Sequence, residues 1–285
     1  MMNLGISMYS YVAAVKAGKL NLESFIHTAA DLGSTGVELL DFFYTSEEWS
    51  AERKIALAAL KETGLVCGVF SVGNNFAQAE ESARTEALNI IKRGVDEAQH
   101  FSTDVVRVFA GDVYNDPSLS LDQAFTWIIE GLTLAADYAQ SKGIRLALEN
   151  HGKLAGRGDQ INDIISQVRA KTGHNALGAN PDTGNFLLVN QPGHEGVAEV
   201  APNAYMCHFK DFVAQSGGHY KGIDGTEYAG TVIGEGTVDL GASLAALKEA
   251  HFSGWVNLEY EGETDPIVGV PASYTNAKNF MDAVN

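Results

Sequence analysis

Short apolar runs alternate with longer stretches of helical period eight times along the 285 residues of this chain. The first unit pairs L-G-I-S-M-Y with an amphipathic segment over residues 22–32 that closes at Gly33. The second pairs G-V-E-L-L-D-F-F with residues 51–61 and closes at Gly64. G-L-V-C-G-V-F-S-V-G precedes a helix over 82–99, D-V-V-R-V-F-A-G-D one over 121–142, and I-R-L-A-L-E-N one over 161–171. G-A-N-P-D-T-G-N-F leads to a short helix over 195–200, M-C-H-F-K-D-F to one over 240–249, and G-W-V-N-L-E-Y-E-G to a closing helix over 272–284. Parallel neighbours need crossover helices, so the alternation predicts a parallel sheet. Eight such units in a chain of this length predict an α/β fold closed as a single (β/α)8 TIM barrel over residues 1–285. The competing doubly wound sheet would usually hold fewer units, and no G-x-G-x-x-G turn follows the first strand to support it. One segment is irregular. Residues 214–236 are rich in glycine and too long for a routine connection, so they read as a loop over the mouth of the barrel.

The strand ends carry the chemistry. I-R-L-A-L-E-N-H-G is an apolar run that ends in a carboxylate, an amide and an imidazole, Glu149, Asn150 and His151. A single acid there could simply mark where a core strand meets water. Three more strands end in the same manner, with Asp182, His208 and Glu259. The C-terminal ends of barrel strands meet at one face, where active sites of this architecture lie. Two Glu, one Asp and one His from the fifth to eighth strands therefore form a candidate oxygen-rich site for a divalent metal.

The formal charge of −17 favours solubility and argues against a nucleic-acid surface, which needs a basic stripe. No apolar run reaches the roughly 18 residues of a membrane span, and the start of the chain lacks a basic, long-cored signal peptide, so a cytoplasmic location is expected. Cys67 and Cys207 lie apart in apolar surroundings and read as buried packing residues.

L-E-N-H-G, P-D-T-G-N, C-H-F-K-D and L-E-Y-E-G, in this order, resemble the xylose isomerase-like barrels of sugar and sugar-phosphate isomerases and epimerases. That group includes D-tagatose 3-epimerase, hydroxypyruvate isomerase, inosose dehydratase and the more distant endonuclease IV. The resemblance covers nearly the whole chain and does not single out a substrate. It implies one divalent ion (manganese, magnesium, cobalt or zinc) held by Glu149, Asp182, His208 and Glu259. It also implies that Glu149 and Glu259 act as an acid/base pair on opposite faces of a bound sugar. The chemistry it implies is proton abstraction next to a carbonyl through an enediolate, whose charge the metal would stabilise. Relatives are often dimers or tetramers, which leaves a homo-oligomer as an open expectation.

Two departures from the epimerase pattern stand out. Asn185 occupies the place where many relatives carry a histidine, and it can bind a sugar hydroxyl but is a poor metal ligand. The segment between His208 and Glu259 is lengthened, and H-F-K-D looks closer to inosose dehydratase. Lys210 follows His208 by two residues on the same side of its strand, either to polarise a substrate oxygen or phosphate or to form a salt bridge across the rim. Glu38 ends the second strand and either touches substrate or is structural. His151 is read as a substrate-side residue against a helix-capping alternative. Arg107, inside an apolar strand, needs a partner, and Glu149 on the next strand would supply one. Glu235 in I-G-E-G rivals Glu259 as fourth ligand; Glu259 is preferred because its run reads as a strand and that of Glu235 as a loop. His27, His100, His174, His194, His219 and His251 read as surface or packing residues. Tyr9, Phe42, Phe70, Phe109 and Phe186 either wall the pocket or pack the core.

The expected activity is a metal-dependent isomerase or epimerase acting on a small carbohydrate. A dehydratase, in which the same enediolate expels a β-hydroxyl, is the alternative. An endonuclease IV-like nuclease is disfavoured by the charge and by Asn185, and a non-catalytic carbohydrate sensor by the presence of both glutamates.

Overall fold

In the computed structural model, residues 1–46, 49–113 and 118–284 are described. Eight parallel strands form one sheet: β1 (Asn3–Ser7), β2 (Gly36–Leu40), β3 (Val66–Ser71), β4 (Val105–Val108), β5 (Arg145–Glu149), β6 (Leu177–Asn180), β7 (Met206–Phe209) and, after three short strands, β11 (Trp255–Leu258). Their spatial order is β6-β5-β4-β3-β2-β1-β11-β7, and β6 and β7 come together through the parallel bridges Asp182 to His208 and Ala179 to Ala204. The barrel thus closes. Pro181 follows β6 and has no N–H to donate, so the last seam rests on a few bonds, among them His208 N–H to the Pro181 carbonyl at 3.0 Å. That seam is where Asp182 and His208 meet.

The helices are α1 (Val12–Lys16), α2 (Leu22–Asp31), α3 (Ser50–Thr63), α4 (Glu81–Phe101), α5 (Leu121–Ser141), α6 (Gly158–Thr172), α7 (Gly193–Val200), α8 (Leu240–Glu249) and α9 (Pro266–Val284). The longer helices bury an apolar stripe toward the sheet. Phe25 and Ile26 of α2, Ile128 and Leu132 of α5 and Ile161, Ile164 and Ile165 of α6 are almost wholly buried, each worth about 1.5–3 kcal/mol. The ends follow local chemistry. Asn21 and Ser24 form a reciprocal cap at the start of α2, and Gly64 takes φ +76° to end α3. None of these helices is long and apolar enough to cross a membrane.

The bottom of the barrel is plugged by Trp255 beside Val69, Val105, Ala147 and Met206. The indole lies so close to β2 and β3 that a Cβ on Gly36 would fall 2.3 Å from it and one on Gly68 2.5 Å. Those two positions must be glycine. With the lower end packed and apolar, polar side chains collect at the top.

Residues 214–236 lie at the mouth as expected, and within them a small antiparallel sheet forms from β8 (Phe212–Ala214), β10 (Glu227–Gly230) and β9 (Tyr220–Lys221), in that order. Phe212 packs on Tyr220 and Tyr228, with ring centroids 4.8 and 6.4 Å apart. The β9–β10 turn is tied down where Ile223 N–H reaches the Leu188 carbonyl at 2.9 Å.

Candidate active site

Glu149 is the last residue of β5, Asp182 follows β6, His208 sits in β7 and Glu259 follows β11. All four are buried, and one ligand atom from each lies within 4.8 Å of the others. Asp182 and His208 are each pinned by one atom and turn another toward the cluster. Asp182 Oδ1 accepts the amides of Gly184 and Asn185, each at 2.9 Å, while Oδ2 makes no hydrogen bond. His208 Nε2 meets Glu38 Oε2 at 2.9 Å, while Nδ1 makes no hydrogen bond and faces Glu149 Oε2 at 3.2 Å and Glu259 Oε1 at 3.6 Å. The Lys210 ammonium also stands 3.0 Å from Asp182 Oδ2, yet neither Oδ2 nor His208 Nδ1 has a well-formed hydrogen bond, which for buried polar atoms calls for a reason. Two of them, converging with two more carboxylates, fit a divalent cation, for which an oxygen-rich set with one imidazole is a suitable donor group.

The electrostatics point the same way. Burial alone would raise the pKa of Glu149, but the charges of His208 and Arg107 outweigh it and lower the value to about 2. Glu259 is likewise lowered, with His208 and Lys210 overcoming burial. Asp182 goes the other way, to about 7, because burial and the charges of Glu259 and Glu149 outweigh Lys210. The crowding of carboxylates thus favours protonation of Asp182, which a bound dication would oppose.

Arg107 Nε is 3.3 Å from Glu149 Oε2, and its Nη1 donates to the Val72 carbonyl at 2.9 Å. Asn180 Nδ2 donates to Glu149 Oε2 at 3.1 Å and Asn185 Nδ2 to Oε1 at 3.3 Å. Lys210 Nζ lies 2.7 Å from Glu259, 3.0 Å from Asp182 and 3.3 Å from Glu261. Burial opposes that charge, but Asp182, Glu259 and Glu261 hold its pKa well above the usual lysine value. The salt-bridge reading of Lys210 therefore describes its contacts.

A cavity of about 580 Å³ opens above the cluster. Its wall includes Glu149 and Glu259 together with Arg107, His151, Asn185, Lys210, Tyr9, Asp41, Phe42, Phe109, Tyr220 and Glu261. The expected residues distribute unevenly around it. Glu38 is not on the wall. It is wholly buried and held by Ser71 and His208, and strand alternation puts it on the same face of β2 as Gly36, whose position meets Trp255 inside the barrel. His151 is exposed to the cavity, with its ring centroid 4.9 Å from that of Phe109. Glu235 is exposed in the connection to α8 and belongs to neither cluster nor cavity. Tyr9, Phe42 and Phe109 line the cavity, whereas Phe70 and Phe186 are 0% exposed in the core. His219, expected among the surface or packing residues, stands at the rim of the cavity.

Sequence reasoning passed over Glu261, Asp41, Asn180 and Tyr220. Glu261 had a usable signal, since it follows Glu259 by two residues and faces the same way. Tyr220 had none until the small sheet carried it across the mouth, where its hydroxyl donates to Glu261.

Known proteins bear on this geometry. The sequence is 25% identical to the inosose dehydratase of Lacticaseibacillus casei over 178 residues, 60% of this chain and 58% of that one, so the match spans little more than half of the dehydratase. It is 24% identical to an L-ribulose-5-phosphate 3-epimerase of Salmonella paratyphi C over 283 residues, 93% of this chain and 90% of that one. A D-tagatose 3-epimerase-like protein superposes with a TM-score of 0.78 at 18% identity, over 100% of this chain and 98% of the other. Among further structures of this fold, a Mycobacterium smegmatis barrel in complex with magnesium gives 0.71 at 17% identity over 100% and 97%. The IolI protein with zinc gives 0.73 at 16% over 99% and 98%. The profile of the xylose isomerase-like TIM barrels matches residues 26–283. With that match running from α2 to the last turn of α9, this chain belongs to the xylose isomerase-like TIM barrel family.

Proposed function

We propose that this protein is a metal-dependent isomerase or epimerase of a small carbohydrate, with Glu149 and Glu259 as the acid/base pair that works beside a carbonyl. The observation that carries this reading is a division of labour within the cluster. Glu149 and Glu259 both reach the cavity, from β5 and β11, whereas Asp182 and His208 are 0% exposed behind them. Two ionised carboxylates facing one space can take a proton from one carbon and return one to the same or the neighbouring carbon.

Glu149, Asp182, His208 and Glu259 would hold the ion. When bound, a divalent cation supplies Lewis acidity toward a carbonyl and its neighbouring hydroxyl, worth several kcal/mol as negative charge develops. The chain's own residues do the rest. Glu38 fixes His208 through Nε2 and so leaves Nδ1 toward the cluster. Arg107, Asn180 and Asn185 hold the Glu149 carboxylate in place and ionised, and Lys210 does the same for Glu259. His151 and Asn185 are placed to bind substrate hydroxyls at the wall.

One observation supports the dehydratase alternative. The Lys210 ammonium is 2.7 Å from Glu259 and borders the cavity, where it could protonate a departing β-hydroxyl. In that reaction a glutamate takes the carbon-bound proton, the electron pair forms the new double bond, and the hydroxyl leaves as water.

Incubation of the manganese-loaded protein with ketoses and inososes in deuterated water distinguishes these outcomes. The expected result is deuterium on a carbon next to the carbonyl without loss of water. Loss of water moves the protein to the dehydratases, and an absence of exchange in every compound while metal stays bound removes the enediolate chemistry.

A further inference from the structure

We infer that the site takes an uncharged carbohydrate and discriminates against its phosphate esters. This deepens the reading of the cavity as a carbohydrate site and rests on it. In (β/α)8 barrels, phosphate groups are commonly held by backbone amides of the loops after the seventh and eighth strands and by a helix N-terminus there. In this chain those donors are already filled by its own carboxylates. After β7, the amides of Gly234 and Gly236 both donate to Asp211 Oδ2 at 2.9 Å, and the Val238 amide donates to Oδ1 at 3.1 Å. A Cβ at position 236 would lie 2.1 Å from Asp211 Oδ1, so the loop is fitted tightly around the carboxylate and leaves no space for an anion. Asp239 caps α8 through the Ala242 amide at 2.9 Å, and after β11 the Asp265 side chain accepts the Ile267 amide at 3.0 Å at the start of α9.

The cationic side chains of the cavity are committed as well. Arg107 faces Glu149 at 3.3 Å, and Lys210 contacts Glu259, Asp182 and Glu261. His219 stands 3.6 Å from Glu263, which leaves Lys221 as an exposed lysine on the rim. Residues 47–48 and 114–117 are Glu, Glu, Tyr, Asn, Asp and Pro, and bring no cation. Against these stand two carboxylates outside the cluster. Asp41 accepts the Gly73 amide at 3.1 Å and presents its remaining capacity to the cavity, and Glu261 lies across the mouth against Tyr220. Carboxylates suit vicinal hydroxyls, which donate to them, and repel a phosphate dianion. Tyr9, Phe42 and Phe109 add ring faces for the C–H face of a sugar.

The test pairs D-tagatose, D-fructose and L-ribulose with their terminal phosphate esters. Binding to the manganese-loaded protein is measured by calorimetry, and solvent deuterium uptake alongside it. The free sugar of the best-bound pair is expected to bind about 100-fold more tightly than its ester. Asp41→Asn is expected to narrow that ratio to about tenfold by admitting the ester, with the thermal midpoint unchanged. Tighter binding of the ester in wild-type protein overturns the inference. Exchange restricted to esters also overturns it and leaves the enediolate reading standing. Preferential binding of free sugars without exchange supports the substrate class and removes the enediolate reading. If no member binds, both are wrong.

Discussion

Glu149→Gln and Glu259→Gln are each expected to lower product formation by about 10³-fold at saturating manganese, the scale of a lost general base or acid. Glutamine keeps the shape and one carbonyl oxygen but cannot carry the proton. The two variants should also fail differently. Whichever carboxylate removes the substrate hydrogen, its loss stops deuterium uptake. The variant that lacks only the returning acid still exchanges hydrogen on one face and forms no epimer. Measuring uptake and product in the same sample separates these cases, and manganese binding measured on each variant separates lost chemistry from lost metal. Product formation within tenfold of wild type in both variants would contradict the assignment.

Lys210→Met is expected to cost the metal-free protein about 3–5 kcal/mol, read as a shift of the urea midpoint. The volume is nearly conserved, so the loss is electrostatic. Asp182, Glu259 and Glu261 would be left without the ammonium that lies 2.7 to 3.3 Å from each of them. Manganese should restore most of that loss, about 4 kcal/mol at 1,000 times its dissociation constant, because it binds only the folded site. A metal-free variant as stable as wild type would show that Lys210 does not balance the cluster.

Much of this site was legible along the chain because barrel topology turns positions in sequence into positions in space. Once L-E-N-H-G, P-D-T-G-N, C-H-F-K-D and L-E-Y-E-G read as consecutive strand ends, Glu149, Asp182, His208 and Glu259 had to meet at one rim, and they do. Arg107 was legible for a different reason. A charge in an apolar strand needs a partner, and β5 supplies Glu149, two residues beyond the register partner Ala147. For Glu38 the sequence left a substrate contact and a structural role open, and its contacts are structural: it is the third residue of β2, with its carboxylate taken up by His208 and Ser71. The segment over residues 214–236 was legible as a loop over the mouth, but the short hairpin within it was not, because its glycines outweighed its pattern. Asp224 and Gly225, flanked by Tyr220 and Tyr228, are in fact a hairpin signal. Its consequence, Tyr220 across the mouth, follows only from how that hairpin docks on Leu188.

The central claim is that Glu149, Asp182, His208 and Glu259 together hold one divalent ion, and pulsed electron paramagnetic resonance of the manganese-loaded protein tests it most directly. The expected result is one ion per chain with coupling to a single imidazole nitrogen, that coupling lost in His208→Gln and stoichiometric binding lost in Asp182→Asn. An ion without nitrogen coupling, or undiminished binding in Asp182→Asn, would contradict it.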